Sequence, residues 1–127
     1  EYLTITNGAE GTTIGTGYQN TMDIVNQGCY PEYGGITAAH AALDAEIIGY
    51  DDWYLPSKDE LLEMYSTIGN AGPEGNLGGF SSYSVYWSSS EYDDSLAIIA
   101  YLFGNPFDWG TIDDKHSMYR VRPIRSF

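Results

Sequence analysis

Residues 52–66 read Asp-Trp-Tyr-Leu-Pro-Ser-Lys-Asp-Glu-Leu-Leu-Glu-Met-Tyr-Ser, and this stretch decides how the chain around it folds. Pro56 ends an extended run. Ser57 then stands where a helix N-cap belongs, and Glu60 follows three residues later, so the pair predicts a capping box. Apolar residues recur at helical spacing from there until Gly69, which is typical of a helix end. The stretch therefore predicts a strand that turns sharply into a helix.

Two more helices are predicted before this stretch. Asn20 resembles an N-cap, and the helix after it should end at Gly28. Thr37 can cap a second helix that runs through a group of alanines, the best helix formers, until Gly49. Residues 2–6 alternate and are rich in β-branched side chains, which predicts a first strand.

The C-terminal half favours strands. We expect strands at residues 84–89 and 96–103, the second buried on both faces, a short return strand at 107–111, and an edge strand at 118–124. Residues 113–115 should form a turn. Helices in the N-terminal half and a twisted antiparallel sheet in the C-terminal half predict an α+β fold.

The composition limits the classes of partner. The 127 residues are enough for a single domain covering 1–127, with a core that needs no disulfide. Five basic residues against 18 acidic ones give a net charge of −13, which disfavours nucleic acid and anionic membranes as partners. No apolar run approaches the ~20 residues that span a bilayer, so we expect no membrane insertion. The opening of the chain suggests that it is a piece of a longer protein.

Four segments in order carry a resemblance to a known family. They are Gly-Thr-Gly-Tyr-Gln-Asn-Thr at 15–21, Asp-Trp-Tyr-Leu-Pro-Ser-Lys-Asp-Glu-Leu at 52–61, Tyr-Trp-Ser-Ser-Ser-Glu-Tyr at 86–92, and Tyr-Arg-Val-Arg-Pro-Ile-Arg at 119–125. Together they resemble the C-terminal domain of bacterial collagen-like adhesins, the Lcl C-terminal domain family. The resemblance covers nearly the whole chain, from about residue 11 to residue 127.

This resemblance implies a variant of the C-type lectin fold with a core that includes Trp53, Leu55, Trp87 and Val121. It also implies a recognition domain at the C-terminal tip of a fibrous protein, placed outside the cell, on a cell surface or on a virion tail fibre. The ligand would be a surface glycan or a cell-surface protein, and the assembly a homotrimer. We expect no enzymatic activity.

The ring-rich and carboxylate-rich loops of the C-terminal half are the candidate ligand surface, because rings stack on sugars or side chains and carboxylates accept hydrogen bonds. The predicted ligand-binding residues are Tyr83, Tyr92, Asp93, Asp94, Phe107, Asp108, Trp109, Asp113, Asp114 and His116. The open alternative is that Phe107 and Trp109 are ordinary core residues.

We predict no bound metal or other cofactor, with calcium as the alternative. Paired aspartates can supply the oxygen ligands that calcium takes. However, Gly104 precedes Asn105-Pro106 where a calcium-dependent lectin motif has an acidic residue, and Asp108-Trp109-Gly110 lacks the order Trp-Asn-Asp. The aspartates are therefore interpreted as solvated turn residues.

Two other groups invite a chemical interpretation. Ser88, Ser89 and Ser90 could include a nucleophile, but no His is tied to them by sequence, so we expect polar strand positions on a solvated face. Arg120 and Arg122 could grip a carboxylate ligand, but we expect ion pairs with the chain's own acids.

Two other functions remain open. One is a structural trimerisation or virion decoration domain. The other is an enzyme related to the formylglycine-generating type. Such enzymes depend on reactive cysteines or histidine-rich iron sites, whereas Cys29 is the only cysteine in this sequence.

Overall fold

The computed structural model describes residues 9–28, 36–69, 72–81, 84–93, 95–101, 111–115 and 117–126. Within them, three helices precede three strands: α1 (Gly17–Asn26), α2 (Ala38–Leu43), α3 (Lys58–Ile68), β1 (Val85–Glu91), β2 (Leu96–Tyr101) and β3 (Thr111–Asp114). The strands form one antiparallel sheet in the order β1-β2-β3. The α+β prediction is confirmed, with helices in the N-terminal half and an antiparallel sheet in the C-terminal half.

Helix α3 begins at the predicted capping box. The Ser57 side chain accepts a hydrogen bond from the Glu60 amide, and the Glu60 carboxylate accepts one from the Ser57 amide at 2.6 Å. Gly69 ends the helix as predicted, but in an extended conformation and not in the left-handed one. A Cβ at Gly69 would lie 2.5 Å from the Tyr65 ring, so close packing explains the glycine.

Helix α1 begins four residues earlier than predicted, with Thr16 as its N-cap. Asn20 is not its N-cap but a buried residue inside it, as is Thr21. The Leu55 amide donates to Thr21 Oγ1 at 3.0 Å, and Asn20 Nδ2 donates to the Gly11 carbonyl at 2.6 Å. Both side chains bond to backbone groups, as cap residues do, but the partners belong to other segments.

Helix α2 has the predicted cap and is shorter than predicted. The Thr37 side chain accepts from the His40 amide, yet the helix ends at Leu43 and does not reach Gly49. Residues 47–50 instead form a tight turn closed by an antiparallel bridge. Ile48 has φ +55° and Gly49 has φ +79°, the pattern of a type I′ turn.

We expect Ile48→Asn to stabilise the protein by about 1 kcal/mol. A β-branched side chain at positive φ is strained, whereas Asn tolerates that conformation. Ile48 is also 88% exposed, so little buried apolar area is lost. Urea unfolding of Ile48→Asn and of Ile36→Asn, an exposed isoleucine without positive φ, makes the comparison. An equal stability change in the two variants would contradict a strained turn.

The sheet differs from the predicted strands in two places. Strand β2 is buried along its centre as predicted, and β1 continues to Glu91 with an irregular register after Trp87. Residues 113 and 114 belong to β3, so the predicted turn at that point is wrong. In place of a strand at 118–124, Arg120 and Ile124 each make an isolated bridge. The predicted strand at 2–6 and residues 102–110 lie outside the described residues.

The core lies between the helices and the sheet. Its described clusters are Ala38, Ala42, Leu55, Trp87, Ala97 and Ile99 below α2; Leu61, Tyr65, Phe80, Tyr86 and Ala100 below α3; and Ala9, Ile24 and Ala39 beside α1. Leu55 and Trp87 are buried as predicted, and Val121 packs partly buried against the first cluster. The prediction for Trp53 is wrong, since its side chain is only half-buried.

Candidate functional site

Three of the predicted ligand-binding residues lie at one end of the sheet, which we call the hairpin end: Tyr92, Asp93 and Asp114. Tyr92 and Asp93 form the turn between β1 and β2, where both of their amides donate to the Leu96 carbonyl at 3.0 and 3.1 Å. Asp114 lies opposite Leu96 in the register of β2 and β3. The sheet thus brings together residues that are about 20 positions apart in the chain.

The Tyr92 side chain is 60% exposed at the hairpin end, and Asp93 and Asp114 are exposed beside it. Asp93 also has a structural role. Its Oδ1 atom accepts hydrogen bonds from the Ser95 and Leu96 amides, both at 2.8 Å. This carboxylate therefore fixes the turn that presents the tyrosine ring.

Asp113 is half-buried and belongs to a different group of side chains. Its carboxylate accepts a hydrogen bond from the Tyr119 hydroxyl, which raises the pKa of Tyr119 above its usual value, and burial of the hydroxyl adds to the rise. The Tyr119 ring in turn meets the Trp87 ring edge to face, with centroids 5.1 Å apart. Asp113 thus supports the core, while Asp114 is exposed.

The other predicted ligand-binding residues lie outside the described residues: Tyr83, Asp94, Phe107, Asp108, Trp109 and His116. Their part in a ligand surface stays a prediction, and so does the alternative that Phe107 and Trp109 belong to the core. The segment with Asn105 and Asp108, on which the calcium alternative depends, is outside the described ranges as well.

Across the ranges that the structure describes, no three His, Cys, Asp or Glu side chains are grouped so that they could hold a metal ion. In the same ranges, no helix is both long and apolar enough to cross a bilayer.

The three serines of β1 are buried, so the prediction of a solvated face is wrong. Ser90 Oγ accepts from the Lys58 amide at 3.0 Å and donates to the Gly11 carbonyl at 2.7 Å. Ser88 Oγ donates to the Ile98 carbonyl at 2.7 Å. These hydroxyls satisfy buried backbone groups, which explains serine in a strand between two packed layers.

An ion pair that sequence reasoning missed lies at the end of the same strand. The Lys115 ammonium donates to the Glu91 carboxylate, and both side chains are buried. A small cavity next to the pair is lined by Ile24, Ser88, Ser89, Ser90 and Ala97 together with the pair itself. The pair ties the end of β1 to the residue that follows β3.

Two arginines of the last segment, Arg122 and Arg125, have partners within the chain. Arg122 donates to the Gly78 and Gly79 carbonyls, and its guanidinium lies 4.4 Å from the centroid of the Phe80 ring. Within the described residues these partners are carbonyls and a ring, so an ion pair of Arg122 with one of the chain's acids stays a prediction. The Arg120 side chain is exposed, while its backbone bonds to Trp87 and Val85.

Arg125 does pair with one of the chain's acids. It donates to both carboxylate oxygens of Asp52 at 2.7 and 3.0 Å. This hydrogen bonding holds the pKa of Asp52 below its usual value. The guanidinium also lies 3.7 Å from the centroid of the Tyr50 ring.

The four segments that carry the family resemblance lie against one another. Residues 15–21 contact 52–61 through Thr21 and Leu55, and they contact 86–92 through Asn20, whose Nδ2 atom lies 3.4 Å from Ser89 Oγ. Residues 119–125 bridge to Tyr54 through two backbone hydrogen bonds at Ile124. These contacts give the segments a structural role.

Packing at Gly17 shows how closely these segments approach. A Cβ there would lie 2.1 Å from Glu60 Oε2 and 2.7 Å from the Ser57 amide nitrogen. The start of α1 therefore packs directly on the capping box of α3.

Comparison with known proteins gives no relative: no protein-family model, no curated protein and no solved structure matches the chain. The resemblance to the Lcl C-terminal domain family accordingly rests on the four segments themselves.

Proposed function

We propose that this chain is a non-enzymatic recognition domain with a C-type-lectin-like fold, placed at the tip of a cell-surface or virion fibre. It binds a glycan or a surface protein at the hairpin end. The observation that carries the proposal is the Tyr92 ring, which is 60% exposed on a turn held by the Asp93 carboxylate. A mobile side chain loses conformational entropy when a ligand binds to it, and this loss lowers the affinity. A turn of fixed conformation reduces the loss.

The chemistry of the hairpin end suits a neutral or cationic ligand. The Tyr92 ring offers an apolar face with a polar tip, and the exposed Asp114 places negative charge at the same end of the sheet. The net charge of −13 repels anionic ligands at low ionic strength. A sugar bearing hydroxyl groups or a basic peptide satisfies both conditions.

We expect Tyr92→Ala to weaken binding about tenfold or more in a screen against a glycan array and intact cells. Tyr18→Ala is the matched control, because Tyr18 is a similarly exposed tyrosine on α1, where its ring meets the Tyr54 ring and not the hairpin turn. The same screen with EDTA tests the calcium alternative, and we expect no change. Equal binding by wild type and Tyr92→Ala would remove the hairpin end as the ligand surface.

A structural role in a trimer is the second candidate. Met118 favours it, since this apolar side chain is 94% exposed on the segment that packs beside β1. Apolar side chains exposed to this degree often mark contacts between subunits. If the chain binds neither glycans nor cells, light scattering tests this second candidate. A mass equal to three copies of the chain would favour it.

A further inference from the structure

The turn at residues 47–50, which we call the Ile48 turn, exposes apolar side chains at its tip. Ile48 is 88% exposed, and Ile47 and Tyr50 on either side are also exposed. Residues 44 and 46 before this turn and 51 and 52 after it are exposed as well, so the turn stands clear of the core. Exposed apolar side chains grouped in this way are typical of a binding surface.

Several contacts hold the Ile48 turn in one conformation. The backbones of Ile47 and Tyr50 exchange two hydrogen bonds of 3.1 Å, and the Trp53 indole nitrogen donates to the Tyr50 carbonyl at 2.8 Å. The guanidinium of Arg125 packs on the Tyr50 ring and is itself held by Asp52. A tip fixed before binding loses little conformational entropy when it docks.

The backbone of Ile48 is strained without benefit to the fold. At φ +55° a β-branched residue is unfavourable, and the first central position of a type I′ turn normally holds Asn, Asp or Gly. Its side chain packs against little, since it is almost fully exposed. Strain combined with exposure indicates that the isoleucine serves contact with another molecule.

The charges around the Ile48 turn indicate which class of molecule would bind to it. Glu46 and Asp51 flank it as exposed carboxylates, while the charge of Asp52 is balanced by Arg125. A second copy of the chain would bring the same acidic rim to this turn, so self-association through the Ile48 turn is disfavoured. Anionic phosphate groups are repelled for the same reason. An isoleucine side chain has neither a ring to stack on a sugar nor a polar atom to bond to its hydroxyls.

We propose that the Ile48 turn is a protein-docking surface, in which Ile48 enters an apolar pocket of a partner protein whose rim carries Lys and Arg. This surface shares no residue with the hairpin end and does not depend on the proposed function. Charge complementarity at the rim steers association, and the buried isoleucine supplies the anchor.

A random peptide library displayed on phage is the probe, with the full chain as bait. We expect the selected peptides to combine Lys or Arg with aliphatic or aromatic residues, and their binding to weaken as salt is added. Binding should fall about tenfold or more in Ile48→Asn, while Ile36→Asn, which changes another exposed isoleucine, should bind like wild type. Tyr92→Ala should also bind like wild type, which separates this surface from the hairpin end.

The melting temperature shows whether a loss of binding reflects misfolding. We expect Ile48→Asn to melt at a higher temperature than wild type because the strain at positive φ is relieved. Peptides that bind Ile48→Asn as well as wild type would overturn the proposal. A library that yields no binders, or binders without Lys or Arg, would overturn it too, as would Ile48-dependent binding to phosphatidylcholine vesicles alone.

Discussion

Lys115→Met should lower the free energy of unfolding by about 3–5 kcal/mol, because it removes the cation that pairs with the buried Glu91 carboxylate. The side chains of Lys115 and Glu91 are 3% and 5% exposed. A charge at such a place is stable only while it is paired, since few water molecules can reach it. The loss is a large share of the 5–15 kcal/mol that is usual for a small domain. Urea unfolding followed by circular dichroism measures it.

The chain supplies a matched control in a second ion pair. Lys58 lies 3.5 Å from Asp59, but these side chains are 32% and 36% exposed, so Lys58→Met should change stability by less than about 1 kcal/mol. In the double variant Lys115→Met, Glu91→Gln, most of the lost stability should return, because the buried negative charge is removed together with its cation. If Lys58→Met and Lys115→Met lowered the free energy of unfolding equally, burial of the Lys115–Glu91 pair would not add to its contribution to stability.

Features set by neighbouring residues could be predicted from the sequence. The capping box at Ser57 and Glu60 and the cap at Thr37 each depend on residues three positions apart. A continuous run of apolar residues predicts the buried centre of β2. In each case the pattern contains both partners of the interaction.

Features set by distant partners could not be predicted. The serines of β1 resemble solvated positions by type, but Ser90 bonds to Gly11 and Lys58, which are 79 and 32 positions away. The helix predicted through the alanines stops at Leu43, and a tight turn at Ile48 and Gly49 stands where its last predicted turn would lie. Nothing in the local pattern states which of the two wins.

The candidate site shows the same division. The exposed turn with Tyr92 and Asp93 follows from local polarity, and the sequence predicts it. The sequence also groups Asp113 with Asp114, although the strand places them on opposite faces and Asp113 bonds to Tyr119. Strand register, which decides this, depends on pairing with β2 and is not visible in the residues themselves.

Trp87→Ala should be as damaging as the loss of Lys115, with a cost of about 3–5 kcal/mol. Trp87 packs among Leu55, Ala97 and Ile99, and the centroid of its ring lies 5.1 Å from that of the Tyr119 ring. Its removal leaves a cavity that small neighbours such as Ala97 cannot fill. Trp87→Phe keeps most of the buried apolar area and should cost clearly less.

Trp53→Ala is the matched control for this prediction. By sequence, Trp53 and Trp87 resemble each other as core residues of neighbouring motifs, yet Trp53 is half-buried and donates its indole N–H to the Tyr50 carbonyl. Less apolar area returns to water when Trp53 is truncated, so we expect a cost of about 1–2 kcal/mol. Urea unfolding of the two alanine variants measures the difference in their free energies of unfolding, from the midpoints and the slopes of the transitions. Equal losses would mean that Trp53 supports the fold as deeply as Trp87, and the core would then extend beneath the Ile48 turn.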